Sequence, residues 1–284
     1  MSINDRITGK PKWLKTPIPT GKTYLQVKEI IEKNKLHTIC TSGNCPNSAE
    51  CWMAGTATFM ILGEICTRAC RFCAVKTGKP LAADLQEPMR LAESIKLLKL
   101  KHAVITSVDR DDLEDGGAFI WAESVRKIKE LNPEITIETL IPDFDGKREL
   151  IQQVIDAKPE IISHNLETSR RLTPKIRTKA KYDLSLKVLE YIANSGIVAK
   201  SGIMLGLGET EEEVFQTMDD LLAVGCKVMT IGQYLQPTRQ HMPVEEYIKP
   251  EIFKMYETVG LEKGFRVVES GPLVRSSYHA ERHV

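Results

Sequence analysis

The sequence predicts an α/β fold, a partial (β/α)6 TIM-like barrel with an extension at each end. From residue 58 onward, six short apolar runs alternate with segments of helical periodicity. Strands that alternate with helices favour a parallel sheet with right-handed crossovers. The alternation is long enough for such a sheet to curl into a barrel or partial barrel. The 284 residues suffice for one large domain with a substantial core.

The expected strands are β-rich apolar runs between polar or turn-forming residues, and they cover 58–62, 102–108, 136–142, 160–166, 198–205 and 227–235. Helical spacing is clearest in two sets of apolar residues between them: Met89, Leu91, Ala92, Ile95 and Leu98, and then Val214, Met218, Leu221 and Leu222. The second of these helices has a marked start, because Thr210 and Glu213 have the spacing of a capping box.

No repeat or low-complexity linker divides the chain. We therefore expect an N-terminal extension over 1–57, a catalytic barrel over 58–264 and a C-terminal extension over 265–284. Lys and Arg (39) nearly balance Asp and Glu (38), so charge gives no reason to expect nucleic acid or an anionic membrane as the main partner. The apolar runs are also too short to span a bilayer.

The N-terminal stretch MSINDRITGKPKWLK lacks the apolar region of a secretory signal. We expect a cytoplasmic protein, or one from which an organelle transit peptide has been removed. In a reducing compartment, clustered cysteines are metal ligands or catalysts more often than disulfides. Six of the seven cysteines lie between residues 40 and 73, in two sets of three.

The downstream set follows the first strand in CTRACRFC and comprises Cys66, Cys70 and Cys73. Cubane iron–sulfur clusters usually have four cysteine ligands, so three leave one iron open to a small molecule. The amino and carboxylate groups of a methionine moiety suit such an iron. Zinc is the main alternative, but its sites usually pair two C-x2-C units, and only one such unit is present here. Structural packing of the three thiols is the other alternative.

The upstream set lies in CTSGNCPNSAEC and comprises Cys40, Cys45 and Cys51, separated by turn-forming residues that allow the chain to wrap around a cluster. The spacing indicates a second metal or cluster site. The alternative that all six thiols serve one larger site remains open.

Other chemically active residues also follow strands. The acidic run 109–112 is either a solvated loop or part of the site, and Gly116 and Gly117 allow a close backbone approach or a plain turn. Asn165 and Glu167 are candidates to hydrogen-bond a cofactor, whereas His164 is more typical of a satisfied core histidine. Lys200, within the fifth strand, would pair either with a cofactor carboxylate or with a buried acid.

Three further features have ordinary explanations. Cys226 is interpreted as a packed residue. Gly206 and Gly208 lack the longer pattern of a dinucleotide-binding loop. A basic run is usually a solvated face, although it could receive an acidic carrier domain; it consists of Arg170, Arg171, Lys175, Arg177, Lys179 and Lys181.

CTRACRFC, with an aromatic residue just before the third cysteine, resembles the signature of the radical S-adenosylmethionine (SAM) superfamily. This resemblance implies a 4Fe–4S cluster on Cys66, Cys70 and Cys73 that binds and cleaves SAM, with Phe72 near the adenine. It also implies that Gly116 and Gly117 approach the amino group of SAM.

Blocks along nearly the whole chain resemble the lipoyl synthase family; they are KPKWLK, NKLHTIC, GTATFMILG, HAVITSVDRDDLEDGGA, HNLET, GLGET, GQYLQPT and GPLVRSSYHA. This resemblance implies an auxiliary 4Fe–4S cluster on Cys40, Cys45 and Cys51, with Ser277 as its fourth ligand and Ser276 as the adjacent possibility. It further implies a sulfurtransferase in which a 5′-deoxyadenosyl radical removes hydrogen from carbons 6 and 8 of a protein-bound octanoyl-lysine. The auxiliary cluster would supply the two sulfur atoms.

The partners implied by the resemblance are octanoylated lipoyl carrier domains, such as the glycine cleavage H protein and the E2 subunits of 2-oxoacid dehydrogenases. An electron donor such as flavodoxin or ferredoxin, and an iron–sulfur carrier that rebuilds the cluster, are implied as well. Neither nucleic acid nor membrane is expected. Another radical enzyme with an auxiliary cluster, an iron–sulfur electron carrier and a zinc-binding structural protein remain as alternatives.

Overall fold

The computed structural model describes residues 9–15, 22–34, 36–43, 45–53 and 58–284. The α-helices are α1 Lys22–Lys33, α2 Ile39–Ser42, α3 Ser48–Met53, α4 Glu87–Leu98, α5 Ala118–Leu131, α6 Arg148–Asp156, α7 Thr173–Ile176, α8 Tyr182–Asn194, α9 Glu211–Ala223 and α10 Pro250–Lys263. Short 3-10 helices cover Lys12–Leu14, Phe144–Gly146 and Ala280–Arg282. Within the described ranges, no helix is both long and apolar enough to cross a membrane.

The strands are β1 His37–Thr38, β2 Thr58–Ile61, β3 Ile65–Cys66, β4 Lys76–Thr77, β5 His102–Ser107, β6 Thr136–Leu140, β7 Ile161–Ser163, β8 Val198–Leu205, β9 Val228–Gln233 and β10 Val267–Gly271. Eight of them form one sheet in the order β1-β2-β5-β6-β7-β8-β9-β10. From β2 to β10 all neighbours are parallel, and β1 pairs antiparallel with β2. The parallel βα alternation confirms the predicted fold class.

The six expected strands are all present as β2 and β5 to β9. Every residue of β2 and of β9 is buried, because helices cover one face of the sheet and the barrel interior lies on the other. The capping box at the start of α9 is also present, with the Thr210 hydroxyl accepting from the Glu213 amide and the Glu213 carboxylate accepting from the Thr210 amide.

The sheet continues into both terminal segments, which the sequence placed outside the alternation. β10 extends it beyond residue 264 and pairs in parallel with β9. Only one of the five residues of β10 is buried, so the apolar run that marks a central strand is missing from its sequence. β1 is only two residues long and leaves no periodic signal. Both strands lie at the edges of the sheet, and an edge strand can pair with its single neighbour even when it has few apolar residues.

The parallel topology places the carboxyl ends of β2 and β5 to β9 along one rim of the open barrel. Large aliphatic and aromatic side chains fill the space between sheet and helices, and Trp121, Ile128 and Ile137 among them are fully buried. Each buried side chain of this kind contributes about 1.5–3 kcal/mol of transfer free energy. This packed core holds the strand ends at the rim in fixed positions.

Candidate active site

The downstream cysteines lie in a loop on this rim. Cys66 ends β3, directly after β2, and Cys70 and Cys73 follow in the same loop. The Cys66 sulfur accepts hydrogen bonds from the backbone amides of Arg68 (3.4 Å) and Asp109 (3.3 Å). Amide donors aimed at a sulfur stabilise the thiolate form that binds iron. The loop therefore offers an environment suited to a cluster ligand.

Two other rim segments hold this loop in place. The Arg71 amide donates to the Ile176 carbonyl (2.9 Å), and the Arg71 carbonyl accepts from the Met242 amide (2.9 Å). The Nε2 atom of His241 donates to the Cys73 carbonyl (2.9 Å). The cysteine loop is thus fixed by the segments that follow β7 and β9, and its thiols keep their mutual positions.

Burial controls the protonation of these thiols. Desolvation raises the pKa of Cys66 to about 11 and that of Cys73 to about 12, with smaller contributions from neighbouring acidic groups and thiols. Desolvation also raises the pKa of Cys70. Iron binds the thiolate, so loading a cluster releases these protons.

A cavity of about 610 Å³ opens in front of the loop. Its wall includes Cys66, Cys70, Phe72 and Cys73, together with residues at the ends of the barrel strands: Thr106, Ser107, Leu140, Met204 and Gln233. It lies at the carboxyl rim, where barrels of this type carry their chemistry. Its volume falls within the range typical of small-molecule and cofactor sites.

Asn165 and Glu167 line the cavity as well. The Oδ1 atom of Asn165 is buried and has no hydrogen-bond partner in the described part of the chain. Glu167 has a left-handed backbone (φ 67°), and its backbone hydrogen bonds join it to Gly202 and Met204 on β8. Such strain in a non-glycine residue clusters at functional sites. The orphaned oxygen and the Glu167 carboxylate suit a ligand with hydrogen-bond donors, such as the ribose or amino group of SAM.

His164 also lines the cavity, but both of its ring nitrogens are occupied. Nδ1 donates to the Ile141 carbonyl (2.9 Å), and Nε2 accepts from the Ser185 hydroxyl (2.8 Å). Burial lowers the pKa of His164 to about 4, so the imidazole stays neutral. This agrees with the interpretation of a satisfied core histidine.

Three candidate cofactor residues lie elsewhere among the described residues. Gly116 and Gly117 form the turn before α5 (φ 57° and 85°), where a Cβ atom would meet Phe144 and Leu62 respectively. Lys200 is fully buried, and its ammonium lies 2.7 Å from a Glu138 carboxylate oxygen. None of these three is in the cavity wall. The geometry therefore favours the plain turn and the buried ion pair that the sequence left open.

The acidic run after β5 forms ion pairs with an arginine of the cysteine loop. Arg68 is buried and lies 2.8 Å from both Asp111 and Asp143, and 3.4 Å from Asp109. Arg68 and Asp109 both line the cavity. Sequence reasoning missed Arg68, although the excess of acids at the end of β5 is a signal that a cation must lie nearby.

Three of the six residues of the basic run form ion pairs with acids. Arg170 pairs with Asp183 and Asp220, Arg171 with Glu213, and Lys179 with Asp111 and Asp145. Its charges are therefore less available to an acidic carrier domain than the sequence implied. Cys226 is fully buried and its thiol lies 3.4 Å from two backbone carbonyls, which agrees with a packed residue.

The upstream cysteines lie on short N-terminal helices, Cys40 in α2 and Cys51 in α3, with Cys45 in the loop between them. Burial raises the pKa of Cys40 to about 11 and also raises the pKa of Cys45. Ile39, Gly43 and Pro46, which are close in sequence to Cys40 and Cys45, line the same cavity as the downstream trio.

The C-terminal segment closes over this upstream trio. The Asn47 side chain donates to the Leu273 carbonyl (2.6 Å), and the Tyr278 hydroxyl donates to Glu50 (3.1 Å). The Thr58 hydroxyl donates to the Ser277 hydroxyl (2.8 Å), and the Thr58 backbone also hydrogen-bonds the Cys40 thiol. Ser276 lines the cavity. Ser277 is therefore linked to the Cys40 segment through Thr58, and Ser276 lines the same cavity as residues that flank Cys40 and Cys45.

In the described parts of the chain, no three His, Cys, Asp or Glu side chains converge closely enough to hold a single metal ion. The ligands of a cubane cluster each bind a different iron and are spread more widely. Each of the two sets of three thiols provides soft sulfur donors of the kind that iron–sulfur clusters use.

Solved structures share the fold. SuiB from Streptococcus suis, solved with bound S-adenosylmethionine, superposes with a TM-score of 0.60 at 12% identity over 78% of this chain and 53% of SuiB. Methylornithine synthase (PylB) superposes with a TM-score of 0.58 at 14% identity over 87% of this chain and 74% of that chain. At such identities the likeness concerns the fold alone.

The barrel with its Cys-x3-Cys-x2-Cys rim loop defines a radical SAM protein, and the Radical SAM superfamily model matches residues 60–221. The model of the N-terminal domain of lipoyl synthase matches residues 4–45. The chain is 65% identical to lipoyl synthase from Phocaeicola vulgatus over 97% of both chains, and 60% identical to lipoyl synthase from Treponema denticola over 100% of this chain and 97% of that one. The chain belongs to the lipoyl synthase family, which confirms the resemblance drawn from its motifs.

Proposed function

We propose that this protein is a lipoyl synthase that inserts two sulfur atoms at carbons 6 and 8 of an octanoyl-lysine on a carrier protein. One observation carries the proposal. The downstream cysteines, residues flanking the upstream cysteines, and the C-terminal segment all face one cavity at the barrel rim. Radical generation and sulfur donation need a shared space, since a carbon radical must meet the sulfur before it meets solvent.

In this proposal Cys66, Cys70 and Cys73 hold the radical cluster, and their thiols lose protons as iron binds. Phe72 packs against the adenine of SAM, and Asn165 and Glu167 accept hydrogen bonds from its polar groups. When bound, SAM and the two clusters supply the radical chemistry and the sulfur, while the protein supplies position and a dry cavity. The cysteine loop is hydrogen-bonded to two other rim segments and therefore keeps SAM at a fixed distance from the substrate chain.

Cys40, Cys45, Cys51 and Ser277 are proposed to hold the auxiliary cluster. Two contacts of Thr58 support this assignment: its hydroxyl donates to Ser277, and its backbone hydrogen-bonds the Cys40 thiol, so Thr58 links the proposed oxygen ligand to the cysteine segment. An alkoxide is a harder donor than a thiolate, so the serine would be the weakest of the four ligands. Loss of that ligand would free one iron when sulfur leaves.

The substrate is an octanoyl chain on a lipoyl carrier domain. Apolar side chains in the cavity wall, including Leu14, Ile39 and Val274, suit an eight-carbon chain, and the open rim suits an extended lysine arm. Carrier domains such as the H protein or E2 subunits, a flavodoxin or ferredoxin donor and an iron–sulfur carrier are proposed partners. A cytoplasmic location is part of the same proposal.

The test uses anaerobically reconstituted protein with SAM, reductant and an octanoyl-lysine peptide. Cys40→Ala is expected to retain cleavage of SAM to 5′-deoxyadenosine and to lose sulfur insertion, whereas Cys66→Ala loses both. Cys226→Ala, which changes a cysteine outside both trios, should retain both activities. Equal loss of both activities in Cys40→Ala would show a single shared cluster and refute the proposal.

A further inference from the structure

Arg275 has an unbalanced positive charge in the cavity wall. Among the described residues, its guanidinium makes one hydrogen bond, from Nη1 to the neighbouring Val274 carbonyl (2.6 Å). In the described part of the chain, no carboxylate lies within ion-pair distance of it. A guanidinium stays protonated at every accessible pH, so its charge needs an anion or water.

The other two arginines of the cavity wall make more polar contacts than Arg275, although the Nε atom of Arg177 is buried without a partner in the described part of the chain. Arg68 has aspartate partners on three sides, and Arg177 donates to two backbone carbonyls and the Ser185 hydroxyl. Among the described residues, Arg275 shares with Arg177 the lack of a carboxylate partner, and it makes fewer hydrogen bonds than Arg177 does. No described residue accepts a hydrogen bond from the remaining donors of Arg275, which can therefore bind an external group.

The surroundings of Arg275 identify where that group lies. Leu273, two residues before Arg275, accepts a hydrogen bond from the Asn47 side chain (2.6 Å), and Asn47 lies two residues after Cys45. Ser277, two residues after Arg275, accepts a hydrogen bond from the Thr58 hydroxyl (2.8 Å). The guanidinium therefore extends from a segment that is hydrogen-bonded to the upstream cysteine loop and to the first barrel strand.

The fold makes room for Arg275 at this position. A Cβ atom on Gly232 of β9 would lie 2.1 Å from the Val274 carbonyl oxygen and 3.3 Å from the Arg275 Nη1 atom. Only glycine lets the C-terminal segment cross β9 so closely. Hydrogen bonds from Asn47 to Leu273 and from Thr58 to Ser277 hold the same segment on either side of Arg275. The placement of the guanidinium is therefore fixed by the fold.

We propose that Arg275 is the charge partner of the auxiliary cluster, a role that rests on the proposed assignment of Cys40, Cys45, Cys51 and Ser277 as its ligands. A cubane cluster with three thiolates and an alkoxide carries net negative charge, because the ligands outweigh the core. A nearby cation stabilises such a cluster, and more so after it takes up an electron. Arg275 thus retains the cluster and raises its reduction potential.

The test is made in a Cys66→Ala, Cys70→Ala, Cys73→Ala background, where the auxiliary cluster is observed alone. Arg275→Gln is expected to lose iron to a chelator about 10-fold faster, the usual scale for a lost outer-shell partner. Its reduction potential, measured by electron paramagnetic resonance during a redox titration, should become more negative. Arg275→Lys keeps the charge and should lie near the parent in both measurements.

An unchanged potential and unchanged iron loss in Arg275→Gln, with iron bound normally by the parent, would overturn this role alone. If the parent with three cysteines replaced binds no cluster, the assignment of the upstream ligands fails and this role falls with it. Arg275→Gln protein that binds no iron supports the role when Arg275→Lys binds it. If both variants bind none and both melt at lower temperature than the parent, Arg275 is only structural and the role is refuted.

Discussion

The Thr58 hydroxyl donates a 2.8 Å hydrogen bond to the Ser277 hydroxyl across 219 residues of sequence. The Thr58 backbone also contacts the Cys40 thiol. Thr58 begins β2, the first strand of the barrel, so this one residue joins the barrel, the upstream cysteine segment and the C-terminal segment. The site that we propose for the auxiliary cluster is therefore assembled from distant parts of the chain, and the barrel aligns them.

Replacing Ser277 should separate the two activities. Ser277→Ala is expected to retain SAM cleavage and to lose most sulfur insertion, because the auxiliary cluster would lack its oxygen ligand. Ser276→Ala is the matched control one residue away and should lose less. Iron content and lipoyl product, measured on the same preparations, check both variants. A greater loss in Ser276→Ala would assign the ligand to Ser276 instead.

Gly232→Ala should displace the C-terminal segment, because the added Cβ would lie 2.1 Å from a backbone oxygen. We expect sulfur insertion to fall by about 10-fold or more, as misplacement by about an ångström does elsewhere, and SAM cleavage to fall less. Gly271→Ala is the control, since its Cβ would meet only the Val274 Cγ2 atom at 3.3 Å. Similar losses in the two variants would contradict the close crossing at Gly232.

The ion pair between Glu138 and Lys200 should contribute to stability and not to SAM binding. Both side chains are fully buried, so Lys200→Met leaves an uncompensated carboxylate and should lower the free energy of unfolding by about 3–5 kcal/mol. The double variant Glu138→Leu, Lys200→Met should recover most of that loss. Denaturant unfolding measures both, and SAM affinity should stay the same. A selective loss of SAM affinity would restore Lys200 as a cofactor contact.

Acid should destabilise the cluster-free protein through His164. Burial holds its pKa at about 4, below the unfolded value of 6.5, so the unfolded state binds the proton first. This stabilisation is complete above about pH 6.5 and is lost as the pH falls from there towards about 4, by up to about 1.4 kcal/mol per pH unit. Urea unfolding at several pH values in this window gives the free energy of unfolding, which should change less with pH in His164→Gln than in the parent. If the free energy of unfolding changed equally with pH in the variant and the parent, the buried neutral state of His164 would be contradicted.

The sequence predicted what depends on local pattern. Six apolar runs became six buried strands, and the capping box at Thr210 formed as expected. The edge strand β10 was missed because it buries only one of its five residues. Lys200 illustrates a different limit: a lysine in a strand signals a partner, but its sequence does not say whether Glu138 or a cofactor provides it.

The cysteine sets were apparent from spacing, but the cavity that the downstream set shares with residues flanking the upstream set was not. That relationship depends on long-range contacts, such as Asn47 with Leu273 and Thr58 with Ser277, which leave no periodic trace in the sequence. Arg275 was visible only as part of a matching block. Its unbalanced charge becomes apparent only when its neighbours are known.

Transfer of labelled sulfide tests the central claim most directly. Protein reconstituted with isotopically labelled sulfide is given SAM, reductant and octanoyl-lysine peptide for a single turnover, with unlabelled sulfide in solution. The account predicts that the lipoyl product carries the label at both sulfur positions, and that protein lacking Cys66, Cys70 and Cys73 forms no product. The account would be contradicted if the product contained unlabelled sulfur from solution while the clusters of the protein kept their label.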